Sequence, residues 1–430
     1  MPVKIIDDLA PEDVAMLQAL YSRSPASMEE HLSKVRERGS GRFMDQYYVG
    51  YGHKSIGDCG STTIFVEGVT MLVAKAIQDW PLYSGQESST RYIDFSQNTF
   101  ANPCGDSVGA EIQENWRQFY MGALDPMLDH LRQKYPRQPD EDEKTYERAV
   151  QARRFDVLRA FLPAGATTNL SWHTNLRQAN DHLRWLCEHP DYAVVDVAEQ
   201  IQDRLREKYP HSFGHETSAE RVDYRNDLMY HDYFTYRHVD VDDEAVGLRA
   251  YLNIPYHVLD ILADRPRGAE VPWWFAEYGV ITSKFQLDFG SFRDLQRHRN
   301  GVVRMPLLTM NYGFHEWYLS EMPDWLAKQA RELLDRQKRL SAHLSCSPVE
   351  MQSYIAMGYK VFCRVTQSLP AFVYRLELRS SKTIHPTLRQ VVLEEIREFR
   401  SYFPQITLHV DENPDSWTVR RGAQTIEERK

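Results

Sequence analysis

Apolar and polar positions along this chain follow two periods, and the switches between them mark the expected elements. Near the N-terminus Pro11-Glu12-Asp13 opens a helix: proline and acids suit a first turn, and Val14, Leu17 and Leu20 share one face. A second helix is predicted over Met28–Arg38, ended by Gly39-Ser40-Gly41. Thr62 to Val66 is β-rich, and Glu67-Gly68-Val69 leads into a helix over Thr70–Gln78. Residues 136 to 144 form a charged, proline-punctuated connector. After it Tyr146, Val150, Arg154, Val157, Leu158 and Phe161 recur at helical spacing as far as Leu162-Pro163. Further helices are expected around Val195–Glu207 and over Asp243–Leu252, Trp325–Leu344 and Pro386–Phe403. From Phe285 the chain alternates and then meets Gly290, which reads as a strand turning into a helix that carries Arg297-His298-Arg299. Helices mixed with short β-rich runs predict an α+β fold.

Composition narrows the class. The chain has 430 residues, 42% hydrophobic and 26% charged, a globular balance whose length suggests two or three domains. A net charge of −10 argues against a non-specific nucleic-acid binder, though a local basic pocket fits within an acidic exterior. Cys59, Cys104, Cys187, Cys346 and Cys363 have no metal-type spacing, so a reduced, cytoplasmic protein is expected. Nor does the scattered spacing of His211, His215, His231 and His238 fit a metal motif. The first residues lack the basic-then-apolar profile of a signal peptide, and no apolar run approaches the roughly 20 residues of a membrane helix.

Two stretches carry candidate chemistry. The first is Arg297-His298-Arg299: its guanidinium forks suit phosphate oxygens, carboxylates or an electron-rich ring carbonyl, and taken alone it also reads as a solvated basic turn. The second is Ser84-Gly85-Gln86-Glu87-Ser88-Ser89-Thr90-Arg91-Tyr92, which offers hydroxyls, backbone N–H groups and a guanidinium to an anion.

Together these stretches resemble the signature of the flavin-dependent thymidylate synthases, which run R-H-R, seven residues, Ser, then Arg-Tyr after one more. Here the signature is divided. In the first part of the chain Gly52, His53 and Ser55 match a Gly-His-x-Ser motif, but Asp58 and Cys59 replace its Glu-His. Asp79-Trp80-Pro81 stands where R-H-R belongs, while Ser84, Gln86, Glu87, Ser89, Arg91 and Tyr92 match. Arg159, Asn175 and Arg177 match the family's nucleotide- and flavin-contacting positions, and Leu186 replaces its activating arginine. In the second part Glu277 keeps the family's Glu before an intact Arg297, His298 and Arg299, with Tyr278 for its histidine; the Ser and Arg-Tyr part is gone, Ser368 and Pro370 replace Asn and Arg, and Arg379 fills the activating position. For His53 the alternative is a capping or core histidine, and for Arg159 and Arg177 surface ion pairs.

The resemblance implies two tandem synthase-like halves, each with helices around a mostly antiparallel sheet: residues 1–210, a connector over 211–270, a second half over 271–410 and a polar tail over 411–430. It implies methylation of dUMP to dTMP with FAD, methylenetetrahydrofolate and NADPH. Gln86, Ser89, Arg91 and Arg159 would bind the nucleotide. Arg297, His298, Arg299, Glu87, Asn175, Arg177 and His53 would bind the cofactor, and Arg379 would stabilise charge on the uracil. Each half lacks what the other keeps, which suggests one complete class of site built from complementary halves, in a homodimer that mimics the family's tetramer. The alternatives are the same scaffold acting on another pyrimidine or one-carbon donor, and a non-catalytic flavin or nucleotide binder.

Overall fold

A computed structural model describes residues 4–91, 93–215, 217–235, 247–305 and 307–413. Tyr92, His238, Asp243, Pro306 and the tail from residue 414, on which parts of the sequence reading fall, lie outside the described residues. The chain opens with α1 (Pro11–Tyr21), α2 (Met28–Arg38), α3 (Gly41–Phe43), α4 (Lys54–Gly57), β1 (Ser61–Thr70), α5 (Met71–Gln78) and β2 (Ser84–Glu87). It continues with α6 (Ser107–Lys134), α7 (Glu143–Leu158), β3 (Thr167–Asn175), α8 (Leu176–Leu186), α9 (Tyr192–Lys208) and α10 (Ala219–Thr235). Then come β4 (Gly247–Leu252), α11 (Tyr256–Ala263), β5 (Gly279–Asp288), α12 (Phe289–Leu295), β6 (Val302–Arg304) and α13 (Glu316–Ser320). Last are α14 (Asp324–Ser341), α15 (Pro348–Met351), β7 (Lys360–Ser368), α16 (Leu369–Arg379) and α17 (Pro386–Tyr402). Short 3-10 turns at Arg159–Phe161 and Gln352–Tyr354 precede β3 and β7.

Local signals account for many of these bounds. Ser27 and Glu30 form a reciprocal capping box at the start of α2, whose acids lie in its first turn and whose arginines lie in its last. Two expectations need correction. Gly247–Leu252 is a strand and not the end of a helix: Leu248 is buried and Ala250 and Leu252 partly so, while Arg249 and Tyr251 point to solvent, a period of two fixed by pairing with β5. The Arg297–Arg299 triplet follows α12 and is not carried on it, since that helix ends at Leu295. A third element, the 28-residue α6, was not anticipated.

The chain divides into two compact units. The first comprises residues 1–69, 73–87 and 169–233; its three-stranded sheet has the order β1-β3-β2, with Ser84 opposite His173 in the antiparallel β2–β3 pair. Trp172, Leu176, Leu183 and Tyr48 are among its buried residues. The second unit comprises residues 70–72, 88–168 and 234–430, and holds an antiparallel sheet of order β4-β5-β7-β6. Ile281, Ser283, Phe285 and Leu287 of β5 alternate inward, as do Val361, Cys363, Val365 and Gln367 of β7, and α17 packs on β4 and β5.

Elements recur in order along the chain. The β1–α5 pair returns 218 residues later as β5–α12 (61 to 279, 70 to 288). The 3-10 turn, β3 and α8 return 193 residues later as 3-10 turn, β7 and α16 (159 to 352, 186 to 379). Within the second unit the two copies of that turn pair with each other through a Pro163–Ala356 bridge. The hydrogen bonds there are reciprocal: Ala164 N–H donates to Ile355 C=O and Met357 N–H to Leu162 C=O, each at 2.8 Å. Gly165 N–H donates to Ser353 C=O and Gly358 N–H to Ala160 C=O, which is the same relation read from each copy.

Candidate active site

The triplet is aimed by the β5–α12 junction. Asp288, the last residue of β5 and fully buried, caps α12 by accepting the Ser291 N–H at 3.0 Å and also accepts the Tyr318 hydroxyl at 2.7 Å. From the end of α12 the chain presents Asp294, Arg297, His298 and Arg299 in succession. Arg379, in the last turn of α16, donates from Nε to His298 Nε2 at 2.7 Å and from Nη2 to the Asp294 carbonyl at 2.6 Å. His298 is buried, and burial followed by the Arg379 and Arg375 guanidiniums pushes its pKa down to about 2. The ring is therefore neutral, and because Nε2 accepts from Arg379 its proton lies on Nδ1.

Two arginines from the earlier part of the chain join this group inside the second unit. Arg91 donates from Nε to Asp156 Oδ1 at 2.9 Å, and its backbone N–H is held by Ser89 Oγ at 3.3 Å. Arg159, 4% exposed, donates from Nη2 to Ser291 Oγ at 3.3 Å, while its buried Nε has no partner among the described residues. Ser291 belongs to a buried chain with Thr387 Oγ1 (2.6 Å) and His385 Nδ1 (3.2 Å), and His385 Nε2 lies 3.2 Å from the Asp156 carbonyl oxygen. Asp294 is the hub: Arg159 Nη1, Arg91 Nη2 and Arg297 Nη2 lie 3.9, 4.0 and 3.8 Å from its carboxylate. Burial alone would raise its pKa, but Arg159, Arg91, Arg297 and Arg379 outweigh that and hold it well below the usual carboxylate range. Four guanidiniums face two carboxylates, an excess of two positive charges. Such an excess around a buried, partly unsatisfied arginine suits a polyvalent oxyanion.

The remaining sequence-derived residues lie in the first unit. Asn175 caps α8, its side chain accepting the Gln178 N–H at 2.8 Å. Arg177 pairs with Asp58 at 2.7 Å and Asp181 at 3.5 Å. Glu87 accepts from Gln78 Nε2 at 2.8 Å, the Gln86 N–H faces Ser171 Oγ at 3.3 Å, and exposed His53 stacks on Tyr51. Where the second unit has His298 and Arg379, the first has apolar packing at the equivalent positions. Trp80 stacks on His182 with ring centroids 4.6 Å apart, and Leu186 is 3% exposed. His182 is buried and neutral, its pKa lowered by burial to about 4.

Residues 4–211 match the model of the family described as Thy1, thymidylate synthase complementing protein. Over those residues, a little under half of the chain, it is similar to the thymidylate synthase complementing protein family. Longer relatives extend the likeness past the matched region. A UPF0159 protein of Chlamydia muridarum is 24% identical over 82% of this chain and 77% of its own length. Another of Thermoplasma acidophilum is 22% identical over 92% of this chain and 94% of its own.

The family match covers Arg91, Asp156 and Arg159 and ends before Arg297 and Arg379, so the cluster joins residues inside the match to residues beyond it. The sequence reading missed Asp156, Asp294, Ser291, Thr387 and His385. One signal was available: Asp156 and Asp294 each stand three residues before a candidate arginine, Arg159 and Arg297, one helical turn away.

Proposed function

We propose that this protein methylates dUMP to dTMP by a flavin-dependent reaction, with methylenetetrahydrofolate as carbon donor and NADPH as reductant. One observation carries the reading: Arg91 and Arg159 converge with Arg297, His298 and Arg379 around Asp294, although they come from complementary, separately depleted stretches of the chain. Its excess of positive charge suits the phosphate of a nucleotide, with Ser89 supplying a hydroxyl. Recurrence of β1–α5 as β5–α12, and the reciprocal turn pairing, support a duplicated and fused chain in which only one class of site keeps its charged residues.

The donor set fits a flavin. Arg297 is half exposed, Arg299 is partly buried, and the unpartnered Nε of Arg159 shows that the cluster has donor capacity left. Arg297, His298 and Arg299 would hold FAD; the family resemblance gives Glu87, Asn175, Arg177 and His53 flavin-contacting roles and Gln86 a nucleotide-contacting one. Bound flavin supplies the hydride chemistry. The chain's own contribution is electrostatic: Arg379, fixed by His298 and the Asp294 carbonyl, stabilises negative charge as it develops on the uracil ring without reorganising. No protein nucleophile enters. We place the protein in the cytoplasm, acting as a homodimer. Its five cysteines form no disulfide among the described residues, where no helix is long and apolar enough to cross a membrane.

Product analysis by mass spectrometry tests the reading. Purified protein receives FAD, NADPH, methylenetetrahydrofolate and dUMP under low oxygen, and dTMP is the expected product. Reduction of bound flavin without dTMP would move the assignment to another pyrimidine or carbon donor. No bound flavin and no dTMP would sink it.

A further inference from the structure

Asp294 is an odd choice for the centre of an anion site. It lies in the last turn of α12, the negative end of that helix, where a carboxylate is disfavoured. It also faces the arginines that should receive the ligand. Yet those arginines do not close on it. Their terminal nitrogens stand 3.8 to 4.0 Å from its oxygens, well beyond the roughly 2.7–2.9 Å of a charge-assisted hydrogen bond. Their short contacts go elsewhere: Arg91 to Asp156, Arg159 to Ser291, Arg379 to His298 and the Asp294 backbone. The guanidiniums are thus positioned by other groups and surround the Asp294 carboxylate at a distance. Beside them, the buried Nε of Arg159 lacks a partner among the described residues.

The charge count gives this arrangement a meaning. With Asp294 ionised the cluster carries two excess positive charges; without it, three. Two is the charge that one phosphomonoester dianion neutralises. A diphosphate brings further negative charge into a group whose centre is already a carboxylate.

Resting on the reading of this cluster as a nucleotide-phosphate site, we propose that Asp294 is a specificity-determining residue. It is a built-in counter-anion that tunes the arginine cluster to nucleoside monophosphates and rejects diphosphates. Its charge acts on the ligand alongside that of the arginines, and it takes no part in bond making, so it is not a catalytic residue. A carboxylate within a few ångströms of a second phosphoryl group, in a partly desolvated setting, repels it strongly enough for this discrimination.

Calorimetric titration of the full-length protein with dUMP, dUDP and inorganic phosphate, at fixed salt and without flavin or folate, provides the test. The native protein is expected to bind dUMP at least tenfold more tightly than dUDP. Asp294→Asn, which removes the charge and keeps the shape, should tighten dUDP at least tenfold and dUMP less, so that the preference collapses. Asp294→Glu, which restores the charge, should restore the preference; a merely structural residue would not follow charge in this way. Should the asparagine variant fail to fold, Asp294→Ala removes the same charge and is read identically. An unchanged dUMP to dUDP ratio in the charge-removed variant, or equal weakening of both ligands, overturns the proposal. If the native protein binds none of the three probes, the nucleotide-site reading falls and this proposal with it. If the ratios behave as stated but no dTMP forms, only the synthase reaction is lost.

Discussion

At the scale of single residues, the proposed site gives nucleotide holding and flavin holding to different arginines. Arg91 pairs with Asp156 and lies 4.0 Å from Asp294 Oδ2, and the adjoining Ser89 hydroxyl holds its backbone, whereas half-exposed Arg297 faces Asp294 Oδ1. Arg91→Ala should therefore weaken dUMP binding by about 1.5–3 kcal/mol, roughly ten- to a hundredfold, while FAD binding stays largely intact. Titration of each ligand separately checks this, and equal loss of both would refute the division of labour. The arginines were legible in the sequence because each belongs to a short run with a distinctive spacing. Asp156 and Asp294 were not, since their one local signal, an arginine three residues on, is faint among 61 acidic residues until folding brings further arginines around it. Nor was the Ser291–Thr387–His385 chain, whose members meet across more than ninety residues of sequence. Asn175 and Arg177 are conspicuous by their spacing; in the structure Asn175 caps a helix and Arg177 pairs with Asp58.

At the scale of elements, the β5–α12 junction decides where the triplet points. Asp288 there satisfies a helix N-terminal N–H and the hydroxyl of fully buried Tyr318 at once. Asp288→Ala removes a cap and strands a buried hydroxyl, and each loss is worth about 1–2 kcal/mol, so a destabilisation of about 2–4 kcal/mol is expected. Urea unfolding followed by a tryptophan probe would measure it. A change below about 0.5 kcal/mol would mean that the junction is held by packing alone, and the triplet would then not depend on the cap. The helices that sequence predicted well have their determinants inside themselves: a capping box for α2, a proline start for α1 and α17, a long amphipathic face for α14. Residues 247–252 were misread because leucine, arginine and alanine favour helix locally, and what overrides them is hydrogen bonding to β5, a partner 27 to 37 residues away (252 to 279, 247 to 284). The long α6 went unread although Ile112, Trp116, Tyr120, Ala123 and Met127 are spaced helically, since Pro126 and the buried polar Gln113 interrupt its pattern.

At the scale of the whole molecule, duplication and loss can be set side by side. Most positions that hold the cluster have uncharged residues at the equivalent places in the other copy of each recurring element, although Asp79 answers to Arg297. Trp80 and Leu186 answer to His298 and Arg379, and both are packed against apolar or aromatic neighbours in the first unit. In the other direction Leu307, Val349 and Gln352 answer to Ser89, Asp156 and Arg159, and all three are buried in the second unit. The Gln352 side chain is already engaged, accepting the Leu308 N–H at 3.0 Å and donating to the Val349 carbonyl. These replacements fill space and satisfy hydrogen bonds, so they leave no charged group in position to receive a phosphate. On the proposed reading of a duplicated chain with one complete class of site, these 430 residues should bind one dUMP and not two. Isothermal titration with a known active fraction, or native mass spectrometry of the assembled protein, gives the stoichiometry directly. Two nucleotides per chain of comparable affinity would mean that the apolar replacements do not disable the second class of site, and the complementary-halves argument would fail. A single nucleotide per chain, lost on Arg91→Ala and on Arg159→Ala alike, would tie that one site to the arginines gathered around Asp294.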